Sequence, residues 1–267
     1  EGGEKVIDYL ILTHPDKDHI GGAPYIFDNF KVLNCYRPDI YATNETLPVN
    51  QDLIVQSTSE LYATVISKIN EEEGCITIKT VQDLEISSIY YDDIDEFNPL
   101  SWIINFYAPI TSELPYRDNS NEENPLAPIP NDYSPIMILT YMDRKIMFTG
   151  DASDKVEKAF ISYYQDSLID FDINILKLGH HGSNSSTCTE LLYFVTPEYA
   201  VASCGLNNQY KHPSIYMLQR LENYGMDYNN IYRTDLNGDI IFGISQSGEI
   251  SILCDSVQYT TFKVEWW

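Results

Sequence analysis

The sequence predicts a mixed α/β fold built in layers, and three observations point there. Apolar runs of strand length alternate along the chain with segments of helical periodicity. Of 267 residues, 43% are hydrophobic, enough for a sizeable core. No internal repeat and no linker-like stretch divides the chain, so residues 1–267 read as a single domain.

The elements follow in order. The run Val6-Ile7-Asp8-Tyr9-Leu10-Ile11-Leu12 reads as a buried strand, 22–30 as a helix and 31–36 as a strand. Residues 52–73 form the longest helical candidate, with Ile54, Leu61, Val65, Ile66 and Ile69 on a partial amphipathic stripe. Strand-like runs follow at 75–81, 86–91 and 102–108. The Pro-, Asn- and acid-rich stretch 110–133 reads as a long loop, a substrate-side flap rather than a linker. Residues 134–141 and 145–149 read as paired strands about the turn Met142-Asp143-Arg144. Then come a helix at 153–165, a strand at 171–178, a helix at 187–194, a strand at 199–203 and a helix at 213–224. Strands at 231–234, 240–244 and 250–254 close the chain.

Composition narrows the function. The formal net charge is −24, with only 16 Lys plus Arg and no basic cluster, which argues against strong binding to duplex DNA. The acid clusters Glu71-Glu72-Glu73 and Asp92-Asp93-Ile94-Asp95-Glu96 read as solvated surface. Five widely spaced cysteines without a CxxC pair are neither a disulfide framework nor a zinc ribbon, and suit a reducing compartment. No apolar run reaches membrane-span length, and Glu1-Gly2-Gly3-Glu4-Lys5 is not a signal peptide, so the expectation is a soluble chain without a membrane segment, cytoplasmic in location. The oligomeric state is not readable.

Four constellations carry chemistry. Thr13-His14-Pro15-Asp16-Lys17-Asp18-His19 places four potential metal ligands on a strand-to-helix turn followed by Gly21-Gly22. Imidazoles and carboxylates together suit a hydrolytic divalent metal, zinc first, with manganese or iron as alternatives. The bland reading, a polar turn with Asp18 as helix N-cap, explains any one of these residues but not all four. Phe148-Thr149-Gly150-Asp151 ends a strand on a carboxylate that can approach a metal closely; alone, it would read as a helix cap. Leu178-Gly179-His180-His181-Gly182-Ser183 sets paired histidines between glycines. On an extended backbone the two point to opposite sides, one to metal and one to the pocket. Four of the five histidines lie in these constellations. The last, Asn208-Gln209-Tyr210-Lys211-His212-Pro213, is either a capped helix entry or a histidine and lysine reaching a phosphate.

Together these motifs resemble the metallo-β-lactamase fold superfamily, and within it the branch of ComEC-type competence proteins and related stand-alone hydrolases. That branch carries HxDxDH, matched by His14, Asp16, Asp18 and His19. Its TGD is similar to Thr149-Gly150-Asp151 and its HHGS to His180–Ser183. Asn131 with Ser134, then Asn208, Tyr210, His212 and Pro213, then Tyr232–Asp235 with Gly238, resemble further family motifs in order. The resemblance implies an αββα sandwich with metal at one edge. Two departures stand out. No histidine lies between His19 and His180, where many members supply one, so one metal site is expected to be ligand-poor. Only 13 residues precede His14, so the chain is expected to lack N-terminal strands of the family.

The expected mechanism is metal-assisted hydrolysis with one or two divalent ions, zinc or manganese. A water made hydroxide by the metal attacks a phosphodiester, a small phosphate-containing molecule or a short single-stranded nucleic acid. His14, Asp16, Asp18, His19, Asp151 and His180 are the expected ligands. Asp18, His181 and His212 are the expected catalytic groups, and Ser183, Lys211 and Asn208 the substrate contacts. Hydrolysis of a carboxylic ester or lactone is the rival chemistry, and a non-catalytic metal-binding module the rival class.

Overall fold

The computed structural model describes residues 5–47, 56–80, 88–90, 101–109 and 130–256. The expected flap at 110–129 and the acidic cluster at 92–96 lie outside these residues.

Chain order in the first half is β1 (Val6–Ile11), α1 (Lys17–Ile20), α2 (Ala23–Asn29), β2 (Lys31–Pro38), β3 (Tyr41–Ala42), β4 (Gln56–Ser57), α3 (Glu60–Glu71), β5 (Ile76–Thr80), β6 (Ser88–Tyr90) and β7 (Trp102–Ala108). Next come β8 (Ile136–Tyr141), β9 (Arg144–Phe148), α4 (Asp154–Tyr164), β10 (Ile175–Lys177), α5 (Thr189–Val195), β11 (Tyr199–Ala202), α6 (Ile215–Tyr224), β12 (Ile231–Arg233), α7 (Thr234–Asn237), β13 (Ile240–Ile244) and β14 (Ile250–Cys254).

Two sheets form the middle layers. One is parallel, in the order β1-β2-β5. The other runs β12-β11-β10-β9-β8-β7-β6, parallel from β12 to β9 and antiparallel from β9 to β6. Their facing sides meet through Tyr36, Ile89, Phe106 and Met137, with Tyr36 and Phe106 stacked at 5.5 Å. On the outer side of the smaller sheet, α3 buries Tyr62, Val65, Ile66 and Ile69, spaced i, i+3, i+4, i+7 as an amphipathic helix requires. On the outer side of the larger sheet, Val156 and Phe160 of α4, Leu191 and Leu192 of α5, and Met217 and Leu221 of α6 pack as one core. Helix, sheet, sheet and helix are thus layered as an αββα sandwich, as the family resemblance implies.

Local differences have local causes. Helix α3 starts at Glu60 rather than 52, because Ser59 caps it by accepting from the Tyr62 amide while Gln56 and Ser57 pair with β3. The hairpin joining β8 to β9 turns on Met142 and Asp143 alone. Both adopt positive φ, and Arg144 is already paired with Tyr141. The expected strand at 171–178 shortens to β10, with Phe171 and Ile173 buried as loop residues ahead of it. Thr234, expected to end a strand, instead opens α7. Cys35 and Cys188 are buried, and all five cysteines are free.

The consequence for function is topological. The turns after β1, β9, β10 and β11 leave the carboxyl ends of parallel strands, where α/β sheets place their ligand crevices.

Candidate metal centre

The first ligand turn leaves β1 at Leu12, whose amide still bonds the Tyr36 carbonyl at 2.7 Å. Helix α1 then begins, with the Asp16 carbonyl accepting from the His19 and Ile20 amides. The N-cap position is therefore Asp16, not Asp18, and the Asp16 side chain makes no capping bond. Its carboxylate lies 3.6 Å from His14 Nε2 instead.

Asp151 follows β9 through Gly150, which has φ of +52°. A Cβ at Gly150 would stand 2.8 Å from that of Ser134, so only glycine lets the turn close. The Ser134 hydroxyl accepts from the Asp151 amide at 3.0 Å and lies 3.2 Å from His14 Nδ1. One buried hydroxyl thus joins two of the three ligand turns.

The third turn corrects an expectation. His180 and His181 are not extended and do not point to opposite sides. Both are left-handed, with φ of 46° and 57°. The turn is imposed from behind. Thr187 Oγ1 accepts from the Gly179 amide, and the Glu157 carboxylate accepts from the Thr187 and Cys188 amides at 2.6 and 2.7 Å. Gly182 also fits against Pro213, where a Cβ would clash at 2.6 Å. Two left-handed residues in succession bring both rings to the same carboxylate. His180 Nε2 and His181 Nε2 lie 3.6 and 3.7 Å from Asp151 Oδ2.

All four rings are anchored through Nδ1. Thr13 Oγ1 lies 3.1 Å from His14 Nδ1 and 3.2 Å from His19 Nδ1, and Ser185 Oγ lies 3.3 Å from His180 Nδ1. His181 Nδ1 donates to the Ser203 carbonyl at 2.7 Å. A carbonyl can only accept, so this bond fixes the proton on Nδ1 and leaves the His181 Nε2 lone pair free, the tautomer a metal requires. Four Nε2 atoms then converge on Asp151.

His14, His19 and Asp151 form one group of ligand atoms within 4.8 Å of one another, and Asp18, His19 and His181 form another. His19 Nε2 lies 3.2 Å from Asp151 Oδ1 and 3.1 Å from His181 Nε2, and His181 Nε2 lies 3.2 Å from Asp18 Oδ2. Two ligands each about 2.1 Å from a tetrahedral ion stand ~3.4 Å apart, so these separations suit donors sharing a cation. Two further observations fit. His14 Nε2 is buried without a hydrogen-bond partner, a costly state that a metal would relieve. Burial, then the neighbouring His19, hold the His14 imidazole down to about 4, so it is neutral and able to ligate near pH 7. Burial acts to raise Asp151, but the hydrogen bond and charge of His19, with His14 and His180, outweigh it and hold the carboxyl at about 2. Burial and the Asp18 and Asp151 charges push Asp16 up.

The sequence reading put His180 among the ligands and His181 in the pocket. Among ligand atoms within 4.8 Å of one another, His181 groups with Asp18 and His19, while His180 Nε2 stands 3.6 Å from Asp151 Oδ2. A cavity of about 330 Å³ opens beside them, lined by Asp18, His181, Ser203, Cys204, Asn208 and His212 among others. The His212 ring is 5.6 Å from that of His180, outside both ligand groups. The Ser183 amide donates to the His180 carbonyl at 2.8 Å, and its hydroxyl meets the His180 ring through Ser185, 3.0 Å away. Lys211 is exposed and is not among the lining residues. Asn208 lines the cavity, but its amide bonds the Gly205 and His212 carbonyls and accepts from the His212 amide. It braces the wall rather than offering a free contact.

Several supporting residues escaped the sequence reading. Thr13 and Ser185 are ordinary turn residues until the rings they hold are seen. Glu157 reads as a surface position of a helix, yet it is fully buried behind the third turn. Lys177 precedes the paired histidines on β10; its Nζ donates to the Leu178 carbonyl, and burial lowers its pKa. A lysine inside an apolar strand was the available signal.

The chain is similar to several known proteins. The curated "Competence protein ComA" of Neisseria gonorrhoeae is 40% identical over 103 residues, 39% of this chain and 14% of its own length. "ComE operon protein 3" of Bacillus subtilis is 27% identical over 238 residues, 89% of this chain and 25% of its own. "Recombination protein 2" of Haemophilus influenzae is 27% identical over 220 residues, 82% of this chain and 20% of its own. The chain thus spans a quarter or less of the curated relatives it matches. Among solved structures, CmlA, a diiron beta-hydroxylase from Streptomyces venezuelae, superposes with a TM-score of 0.47 at 12% identity, covering 86% of this chain and 44% of that one. The family model described as the metallo-beta-lactamase superfamily matches residues 1–205, which contain all three ligand turns. With that match and four imidazoles gathered on one aspartate at the strand ends of an αββα sandwich, the chain belongs to the metallo-beta-lactamase superfamily.

Proposed function

We propose that the chain is a metal-dependent phosphodiesterase acting as one domain. The observation that carries this reading is the convergence of four Nε2 atoms on Asp151, with Asp16 and Asp18 on the open side. Family membership implies a metal-dependent hydrolase, and the donor set suits divalent ions. His14, His19 and Asp151, joined by Asp16, would hold one ion; Asp18, His19 and His181 would hold or complete a second. We take zinc or manganese as the metal, since imidazoles favour the first and the carboxylates the second. When bound, the metal supplies Lewis acidity and a water acidic enough to be deprotonated near neutral pH.

The protein's own groups do the rest. Asp18 is 65% exposed and stands beside His181 at the cavity mouth, placed to orient the attacking water and accept its proton. His212, across the cavity, is placed to meet the leaving oxygen. His180 steers Asp151 from the side opposite His19. Carboxylate-rich ligation leans toward phosphoryl rather than acyl oxygen. Two of the curated relatives are named for competence and recombination, which supports a substrate derived from nucleic acid. The charge of −24 and the want of a basic cluster favour small diesters and short single strands over duplex.

The test is hydrolysis of bis(p-nitrophenyl) phosphate by the purified chain with zinc or manganese. Turnover is expected, and is expected to vanish in Asp18→Ala. Bound metal without turnover would leave a recognition module, and cleavage of aryl esters or lactones alone would move the reading to acyl chemistry.

A further inference from the structure

One wall of the cavity has no part in holding metal. The segment 205–212 forms a tight loop with two non-glycine residues in the left-handed region, Asn207 at φ 55° and Lys211 at φ 58°. Such a conformation is costly and persists only when its surroundings enforce it. Here the Asn208 amide does so, tied to the Gly205 and His212 carbonyls at 2.9 and 2.7 Å and to the His212 amide at 2.8 Å. The Lys211 amide closes on the Asn208 carbonyl. The loop presents Tyr210, which is 71% exposed and lines the cavity.

The Tyr210 ring is not loose. It lies nearly parallel to His212, with centroids 5.9 Å apart and planes at 17°. His212 in turn lies nearly parallel to His181, at 6.4 Å and 23°. Three rings in file therefore lead from solvent to the ligand group of Asp18, His19 and His181. Three of the polar side chains around Tyr210 are already engaged. Thr234 Oγ1 accepts from the Cys204 amide and donates to the Cys204 carbonyl, Cys204 Sγ lies 3.3 Å from Asp235, and the Asn208 amide is committed as above. Tyr210 adds an exposed aromatic face beside the place where a scissile phosphate would sit.

We infer that Tyr210 is a stacking platform for a nucleobase attached to that phosphate, and so the specificity-determining residue of the site. The inference rests on the phosphodiesterase reading for the position of the phosphate. A ring held by its face rather than its edges accepts any base, because every base has a π-face. The fixed loop spares the cost of ordering the tyrosine on binding.

Calorimetry with the manganese-supplied chain tests this. Thymidine 5′-phosphate and deoxyadenosine 5′-phosphate are expected to bind about tenfold more tightly than deoxyribose 5-phosphate, which lacks the base. Tyr210→Phe keeps that preference and Tyr210→Ala abolishes it, with metal content unchanged in both. A 2-aminopurine nucleotide is expected to lose fluorescence on the unmodified protein and not on Tyr210→Ala. Equal affinity for nucleotide and sugar phosphate, or a preference that survives Tyr210→Ala, overturns the inference. The two readings fail separately: nucleotide preference without diester turnover removes the hydrolase, and diester turnover without nucleotide preference removes the platform.

Discussion

The two histidine pairs of the metal centre reach the same aspartate by opposite means. His14 and His19 are five residues apart on a strand-to-helix turn, where the start of α1 carries the second ring back toward the first. His180 and His181 are adjacent, and only two successive left-handed residues bring them together. The first pair is shaped by its own secondary structure. The second is shaped by neighbours, chiefly Glu157 from α4 and Arg220 from α6, which bonds the Ser186 and Thr187 carbonyls. One turn is built locally and the other is held from outside, so substitutions remote from the metal should reach the second pair far more readily.

The largest expected effect falls where the comparison disappears. Asp151 touches all four rings, so Asp151→Asn should strip metal from both groups and reduce turnover to background. Elemental analysis showing unchanged stoichiometry would remove Asp151 from the centre. Next comes the contrast within the second pair. His181→Ala should weaken metal binding about 100-fold, whereas His180→Ala, which loses only an approach through Asp151, should cost about tenfold or less. Metal titration of the two variants decides it, and the reverse order would restore His180 as the ligand.

Ser134→Ala probes the local pair. It removes the hydroxyl shared by His14 Nδ1 and the Asp151 amide, and should lower metal affinity about tenfold while leaving that amide unsatisfied at a cost of about 1–3 kcal/mol. Denaturant unfolding without metal separates the two losses. The last effect leaves the metal aside and concerns pH. Burial raises the Glu157 carboxyl from 4.5 to about 7. A raised folded value means that its stabilisation is complete below pH 4.5 and is lost as pH rises through about 7. Relative to Glu157→Gln, the unmodified protein should lose up to about 3 kcal/mol of unfolding free energy over that window. A flat difference between the two proteins would show that the carboxylate enters the folded interior already ionised.

Much of the centre was legible because its donors are concentrated. Four of five histidines sit in two short motifs, and strand patterning put both motifs, with Asp151, at strand ends. The layering was legible for the same reason, since apolar spacing such as that of Tyr62, Val65, Ile66 and Ile69 survives in any alignment of the helix with its sheet. What could not be read was backbone handedness at His180 and His181. An adjacent pair of histidines has no intrinsic bias to the left-handed region, and the loop that imposes it is pinned by residues more than twenty positions away in sequence, Glu157 and Arg220. The bonds of Asn208 to Gly205 and His212 were equally illegible, because they depend on the fold of the loop rather than on the residue type.

The sharing of Asp151 has one more consequence. Its Oδ1 faces His19 and its Oδ2 faces His14, His180 and His181. Asp151 is a member of one ligand group and stands 3.7 Å from His181 of the other, so a cation held by the first group screens the charge that the second also feels. The second then meets a weaker field, so the two sites are linked by a coupling free energy that each exerts equally on the other. Over a range of metal concentration the protein should hold one ion rather than two, and occupying either site should lower the affinity of its neighbour by the same factor.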